Sequence, residues 1–195
     1  MGYALSWLAV RGKLPEQVLA DLNATPTGGE VDFARSRLGA RRLRSGWYAV
    51  FAREQGHAWM DPDTLGLLSA SADLLACTVD ENRLMSSAEL WRAGDLVWQV
   101  LHDGQQSHDH LKITGEPPAP FAALAIDHRR LQAAAGGGRA TIDHLFQVPL
   151  KLAQRVTGFK HDEGDAGADV PWTELHDGPV RPVQAKPSVP WWKRW

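Results

Sequence analysis

LLACTVDENRLMSSAELWRAGDLVWQVLHD, residues 74–103, contains three apolar runs, LLACTV (74–79), RLMSSAELW (83–91) and DLVWQVLHD (95–103). The polar links between them are far too short for a parallel crossover, so consecutive runs must pair antiparallel. RAGD (92–95) supplies a tight turn at Gly94, and the spacing sets Trp91 and Trp98 near each other across that hairpin. An antiparallel sheet is therefore the centre of the fold. HDHLKIT (108–114) is the candidate next strand.

Upstream, YALSWLAVRG (3–12) is half-alternating and stops at Gly12, which predicts a strand. PEQVLADL (15–22) opens on a first-turn proline and repeats Val18, Leu19 and Leu22 at helical spacing, and ATPTGG ends that helix. GWYAVFAR (46–53) is aromatic and β-branched, a second strand signal. Asp61-Pro62 then reads as an N-cap and first helical residue, with Leu65 and Leu68 turned inward.

Downstream, GEPPAPF (115–121) breaks the chain, since its prolines cannot join a ladder. Phe121, Leu124, Ala125, His128 and Leu131 then mark the inner face of a helix that stops at GGG (136–138). GGGRAT (136–141) lacks the spacing and lysine of a phosphate-binding loop and reads as a linker. A last helix runs from Pro149 to a Gly158 cap, with Leu152, Ala153 and Val156 inward. The pattern predicts an α+β domain over 1–162, a mainly antiparallel sheet with helices packed on one face. Residues 163–195, rich in Gly, Pro and charge and without a sustained period, are expected to be an extended or disordered tail.

ALSWLAVRGK (4–13), SSAELWRAGDLVWQVLHD (86–103) and VPLKLAQRVTGFKHD (148–162) resemble a group of small uncharacterised soluble bacterial proteins. The resemblance spans residues 3–162 and implies one folding unit. It implies no activity, cofactor or site.

Composition narrows the function classes. A chain of 195 residues has a core to bury, and a net charge of −2 gives no global attraction to nucleic acid or an anionic membrane. One cysteine, Cys77, excludes an internal disulfide and a paired-cysteine metal knuckle, and its place in LLACTV marks it as a core thiol. No stretch reaches the roughly 20 apolar residues of a membrane span, and no secretory leader begins the chain, so the expected location is cytoplasmic.

Motifs for nucleophilic catalysis are missing: there is no G-x-S-x-G elbow, no S-x-x-K set and no H-E-x-x-H. His108 and His110 would share a strand face, with His102 on the paired strand, which makes them weak candidates for a metal-dependent enzyme. An exposed polar edge strand explains the same residues. His161 beside Asp162, Glu163 and Asp165 is an acid/base cluster on paper, and His128 is expected to be a hydrogen-bonded core histidine. No cofactor is expected.

Two features point to partners instead. Arg35, Arg37, Arg41, Arg42 and Arg44 fall in ten positions without an acid, open to a solvated loop, an acidic partner or the chain's own acidic 161–177 stretch, or nucleic acid. The end of the chain, VPWWKRW, carries Trp191, Trp192 and Trp195 with two cations, and tryptophan is favoured at binding hot spots. It reads as a docking peptide acting in cis or in trans, with a passive end or a membrane anchor as the alternatives. The functional expectation is a non-catalytic protein-binding module, as in immunity or antitoxin-type proteins that neutralise a co-encoded toxin, with nucleic acid and membrane disfavoured as partners.

Overall fold

A computed structural model describes residues 2–33, 35–165 and 170–178. The first half runs β1 (Ala4–Arg11), α1 (Pro15–Asp21), β2 (Ala24–Val31), β3 (Leu38–Arg42), β4 (Tyr48–Ala52) and α2 (Pro62–Ser69). Then come β5 (Asp73–Asp80), β6 (Met85–Arg92), β7 (Asp95–Asp103), β8 (Lys112–Gly115), α3 (Pro120–Ala134) and α4 (Gln147–Thr157). β9 (Phe159–Lys160), β10 (Gly164–Asp165) and β11 (Trp172–Asp177) complete the order.

Among the described residues nine strands form one sheet in the order β2-β11-β3-β4-β1-β5-β6-β7-β8, with antiparallel pairing throughout. The β5–β6–β7 meander read from residues 74–103 is present. Its last turn is tighter than a generic loop: Arg92 pairs with Asp95, and Ala93 and Gly94 both take positive φ, 52° and 88°. The register slips between Leu90 and Trp91, so Trp98 faces Leu90 while Trp91 faces Leu96. That bulge sends the two tryptophans to opposite faces of the sheet, and the expected Trp91–Trp98 contact across the hairpin is lost.

Helices cover both faces, not the one expected. In β1, Leu5, Trp7 and Ala9 point to the layer containing Leu150, Leu152 and Ala153 of α4, whereas Leu8 and Val10 point to Val18 and Leu19 of α1 and Leu65 and Leu68 of α2. The reason lies in the central strands. YAVFA in β4 and LLACTV in β5 are apolar at successive positions, and a strand apolar on both sides needs cover on both sides.

Of the tail expected from residue 163, residues 172–177 are a strand instead, and residues 179–195 lie outside the described residues. Trp172–Asp177 forms a strand inside the sheet, between β2 and β3, with Trp172 opposite Val31 and Asp177 opposite Ala24. Trp172 enters the aromatic layer of Phe33, Phe51 and Phe159, with ring centroids at 5.4, 4.9 and 5.5 Å, and Leu175 enters the opposite layer. Two anchors three residues apart face opposite sides of a strand. The folded unit therefore extends beyond residue 162 to include β11.

Candidate functional site

The histidines expected to gather metal lie at the end of β7 and in the 104–111 connection. His102 is fully buried on β7; its Nδ1 lies 2.7 Å from the carbonyl oxygen of His110 and its Nε2 2.9 Å from Asp143 Oδ2. Both partners accept, so the ring donates on both sides only with a proton on each nitrogen. His110 is turned elsewhere, its Nδ1 accepting from the Asp103 N–H at 2.9 Å. His108 Nδ1 is 4.0 Å from Asp143 Oδ2. Among the described residues no group of three or more His, Cys, Asp or Glu side chains could hold a metal ion. The expected face of His102, His108 and His110 does not form, because residues 104–111 are a loop and β8 begins only at Lys112.

Asp143, which the sequence reading passed over, organises this corner. Its Oδ1 accepts the N–H groups of Leu145 and Phe146 at 3.1 and 3.2 Å, the turn that leads into α4. Burial pushes the carboxyl up, but the hydrogen bond and charge of His102 and the Phe146 N–H outweigh it and hold Asp143 below its ordinary value. Gln132 of α3 closes the same corner, accepting from the His144 N–H at 2.7 Å and donating to the Gly137 carbonyl at 2.8 Å. The signal was local: an Asp two and three residues before Leu145 and Phe146 in TIDHLF is an Asx turn.

His128 is buried as expected, and burial holds its ring below the ordinary histidine value; its Nδ1 has no hydrogen-bond partner. His161 is also buried, edge-on to Tyr3, with Nε2 3.6 Å from Glu81 and Nδ1 3.8 Å from Asp162. Lys160 Nζ ties both oxygens of Asp162 at 2.6 and 2.7 Å and Glu163 at 3.0 Å. These groups pin the end of α4 to the first strand and the β5–β6 turn. Cys77 is buried, and burial pushes its thiol up, which keeps it protonated and inert.

The arginine run is dispersed. Arg41 points into the aromatic layer, its Nη1 donating to the Val170 carbonyl at 2.8 Å and its guanidinium 4.7 Å from the Trp172 ring, so it is internal and leaves the set expected to meet a partner. Arg35 and Arg37 stand exposed before β3, and Arg42 and Arg44 stand exposed at its other end. Arg37 Nη2 is 3.8 Å from Asp177, so one pair to the acidic stretch does form. Trp191, Trp192 and Trp195 lie outside the described residues.

No family model, curated protein or solved structure matches the chain. The remaining functional signal is a surface. α3 buries Ala125, His128 and Gln132, while Ile126 and Leu131 are 50% and 48% exposed. The sequence placed Leu131 inward; Gln132 takes that position instead, because its amide stitches α3 to the 137–144 connection. Ile142, 62% exposed, lies on that connection. Among the described residues no helix is long and apolar enough to cross a membrane.

Proposed function

We propose that the chain is a non-catalytic protein-binding module and that the outer face of α3 is its contact surface. The observation that supports this reading is the apolar surplus of that helix: Phe121 and Leu124 pack on the core and Ala125, His128 and Gln132 are buried, yet Ile126 and Leu131 stand half exposed away from it. Fully burying an aliphatic side chain of this size is worth about 1.5–3 kcal/mol, so a partner that covers both gains a useful part of that. Ile126 and Leu131 stand on the two flanks of the outward side, and between them lie Ala123 and Ala134, which let a partner approach closely, and the exposed pair Asp127–Arg130 at 4.0 Å. Such a face suits a groove that takes a helix.

A toxin neutralised in an immunity-type complex is one partner of this kind, an analogy at the level of class. The test is affinity capture from the native cell lysate with the wild-type chain and with I126E/L131E side by side. The reading expects a protein retained by the wild type and lost by the variant, with both chains equally folded by circular dichroism. Identical captures on the two columns, or none on either, end it.

A further inference from the structure

The junction of β2, β3 and β11 carries a feature independent of α3. Between the end of β2 and the start of β11 lies an open cleft of about 580 Å³, walled by Glu30, Asp32, Phe33, Val170, Pro171 and Trp172. Its lining is mixed, apolar at Phe33, Val170 and Pro171, and its rim carries two exposed carboxylates, Glu30 and Asp32. The walls are built and held. Arg41 fixes one side through the Val170 carbonyl and the Trp172 ring, and Arg53 fixes the other, donating to the carbonyls of Phe33 at 2.7 Å and Ser36 at 3.2 Å. Phe33 stacks against Phe51 at 4.5 Å, so the ring that floors the cleft is anchored in the core.

A surface of Phe33, Val170 and Pro171 backed by the buried Trp172 and edged by carboxylates suits a ligand that is aromatic and cationic at once. Beyond β11 the sequence contains such a segment. Residues 190–195 read PWWKRW, and from 179 to 195 the chain has four cations, Arg181, Lys186, Lys193 and Arg194, and no acid. Connectivity allows them to meet. β11 starts at the cleft with Trp172 and ends at Asp177, and Gly178 is fixed by its N–H bond to the Asn23 carbonyl at 2.9 Å. A strand of that length spans about 20 Å. The residues between Gly178 and Trp191 reach up to about 40 Å when extended, enough to return. Tethering by so short a link gives a millimolar-range effective concentration, so a weak peptide contact is held.

We propose that this cleft receives the chain's own C-terminal residues 190–195, in cis. In that arrangement the tryptophans pack on Phe33, Val170 and Pro171, next to Trp172, and Lys193 and Arg194 face Glu30 and Asp32. The cleft is then a built-in receptor that any partner for the same aromatic-cationic peptide must compete with.

Trypsin provides the test, because Arg181 and Lys186 precede prolines and leave Lys193 and Arg194 as the cleavable bonds of the segment. Cleavage of the full-length chain is followed by intact mass, with E30K/D32K as the variant. Two exposed charge pairs and their apolar contacts predict cleavage faster by roughly five- to tenfold in the variant, since proteolysis tracks the open population. Equal rates overturn the proposal. The second measurement leaves the cleft intact: in W191A/W192A/W195A the indole N–H resonance of Trp172 shifts if the segment sits on it, and an unmoved resonance overturns the proposal. Protection that rises between micromolar and several hundred micromolar protein, with a dimer's mass, assigns the cleft to a second copy's C-terminus and overturns the cis arrangement.

Discussion

His102 Nε2 and Asp143 Oδ2 meet at 2.9 Å with both side chains out of solvent, 0% and 2% exposed, joining the end of β7 to the connection between α3 and α4. Removing one member of a buried, hydrogen-bonded pair strands the other, which typically costs about 3–5 kcal/mol. Asp143→Ala is expected to lose stability in that range by urea unfolding at pH 7. Asp143→Asn is expected to lose less, because its amide oxygen still accepts from Leu145 and Phe146. Equal losses would show that the charge, not the turn, carries the effect.

Acid should expose the same pair. The Asp143 carboxyl is held below its ordinary value, so the folded state binds fewer protons than the unfolded state as pH falls through the unfolded carboxylate value of about 3.9. Its contribution is complete above that value and is lost as pH drops through the folded one. Unfolding curves from pH 5 to pH 2 are expected to show a steeper decline for the wild type than for Asp143→Asn.

A second pH dependence comes earlier. Burial holds both His161 and His128 below the ordinary histidine value, against the carboxylates of Asp162 and Glu81 in the first case. Below the unfolded value of about 6.5 the unfolded chain takes up protons that the folded chain refuses, so stability falls on acidification, by up to about 1.4 kcal/mol per pH unit for each ring. His161→Phe keeps the edge contact to Tyr3 and removes the titration. Its stability between pH 7.5 and 5 is expected to fall less steeply than the wild type's; parallel curves would remove His161 from the account.

The meander and two helix ends were legible because they depend on local pattern: β5, β6 and β7 from apolar runs and a turn, the start of α2 from Asp61-Pro62, the end of α4 from Gly158. β2 was not, because ATPTGGEV carries a proline and two glycines, which an edge strand tolerates and a central one does not. β11 was hidden for a different reason. WTELHD has only Trp172 and Leu175 as apolar anchors, and its pairing on both sides is to chain more than a hundred residues upstream. The histidine corner failed on the same ground: H-x-H predicts a shared face only on a strand, and whether 104–111 is a strand or a loop is settled by Asp143, far along the chain.

Trp172 separates the two readings of the C-terminal region. As an anchor of β11 among Phe33, Phe51, Phe159 and Arg41, it should cost about 3–5 kcal/mol when cut to alanine. A tryptophan on a solvated tail would cost within roughly 0.5 kcal/mol. Chemical denaturation of Trp172→Ala decides between them, and a small loss would remove β11 from the sheet.

Ala93 sits where the hairpin needs a different residue. With φ of 52° at Ala93 and 88° at Gly94, and Arg92 paired to Asp95, the β6–β7 link is a two-residue turn with both central residues left-handed. A Cβ there costs about 1–2 kcal/mol, a strain that asparagine relieves through its short polar side chain and glycine by having none. Ala93→Asn is expected to stabilise the chain by about 0.5–1 kcal/mol, roughly 1–4 °C in Tm for a domain of this size. Ala93→Val should shift Tm the other way, since branching at Cβ worsens the same clash. If the order of the three in thermal unfolding is not Asn above Ala above Val, the turn is of another type and the register between β6 and β7 must be redrawn from it.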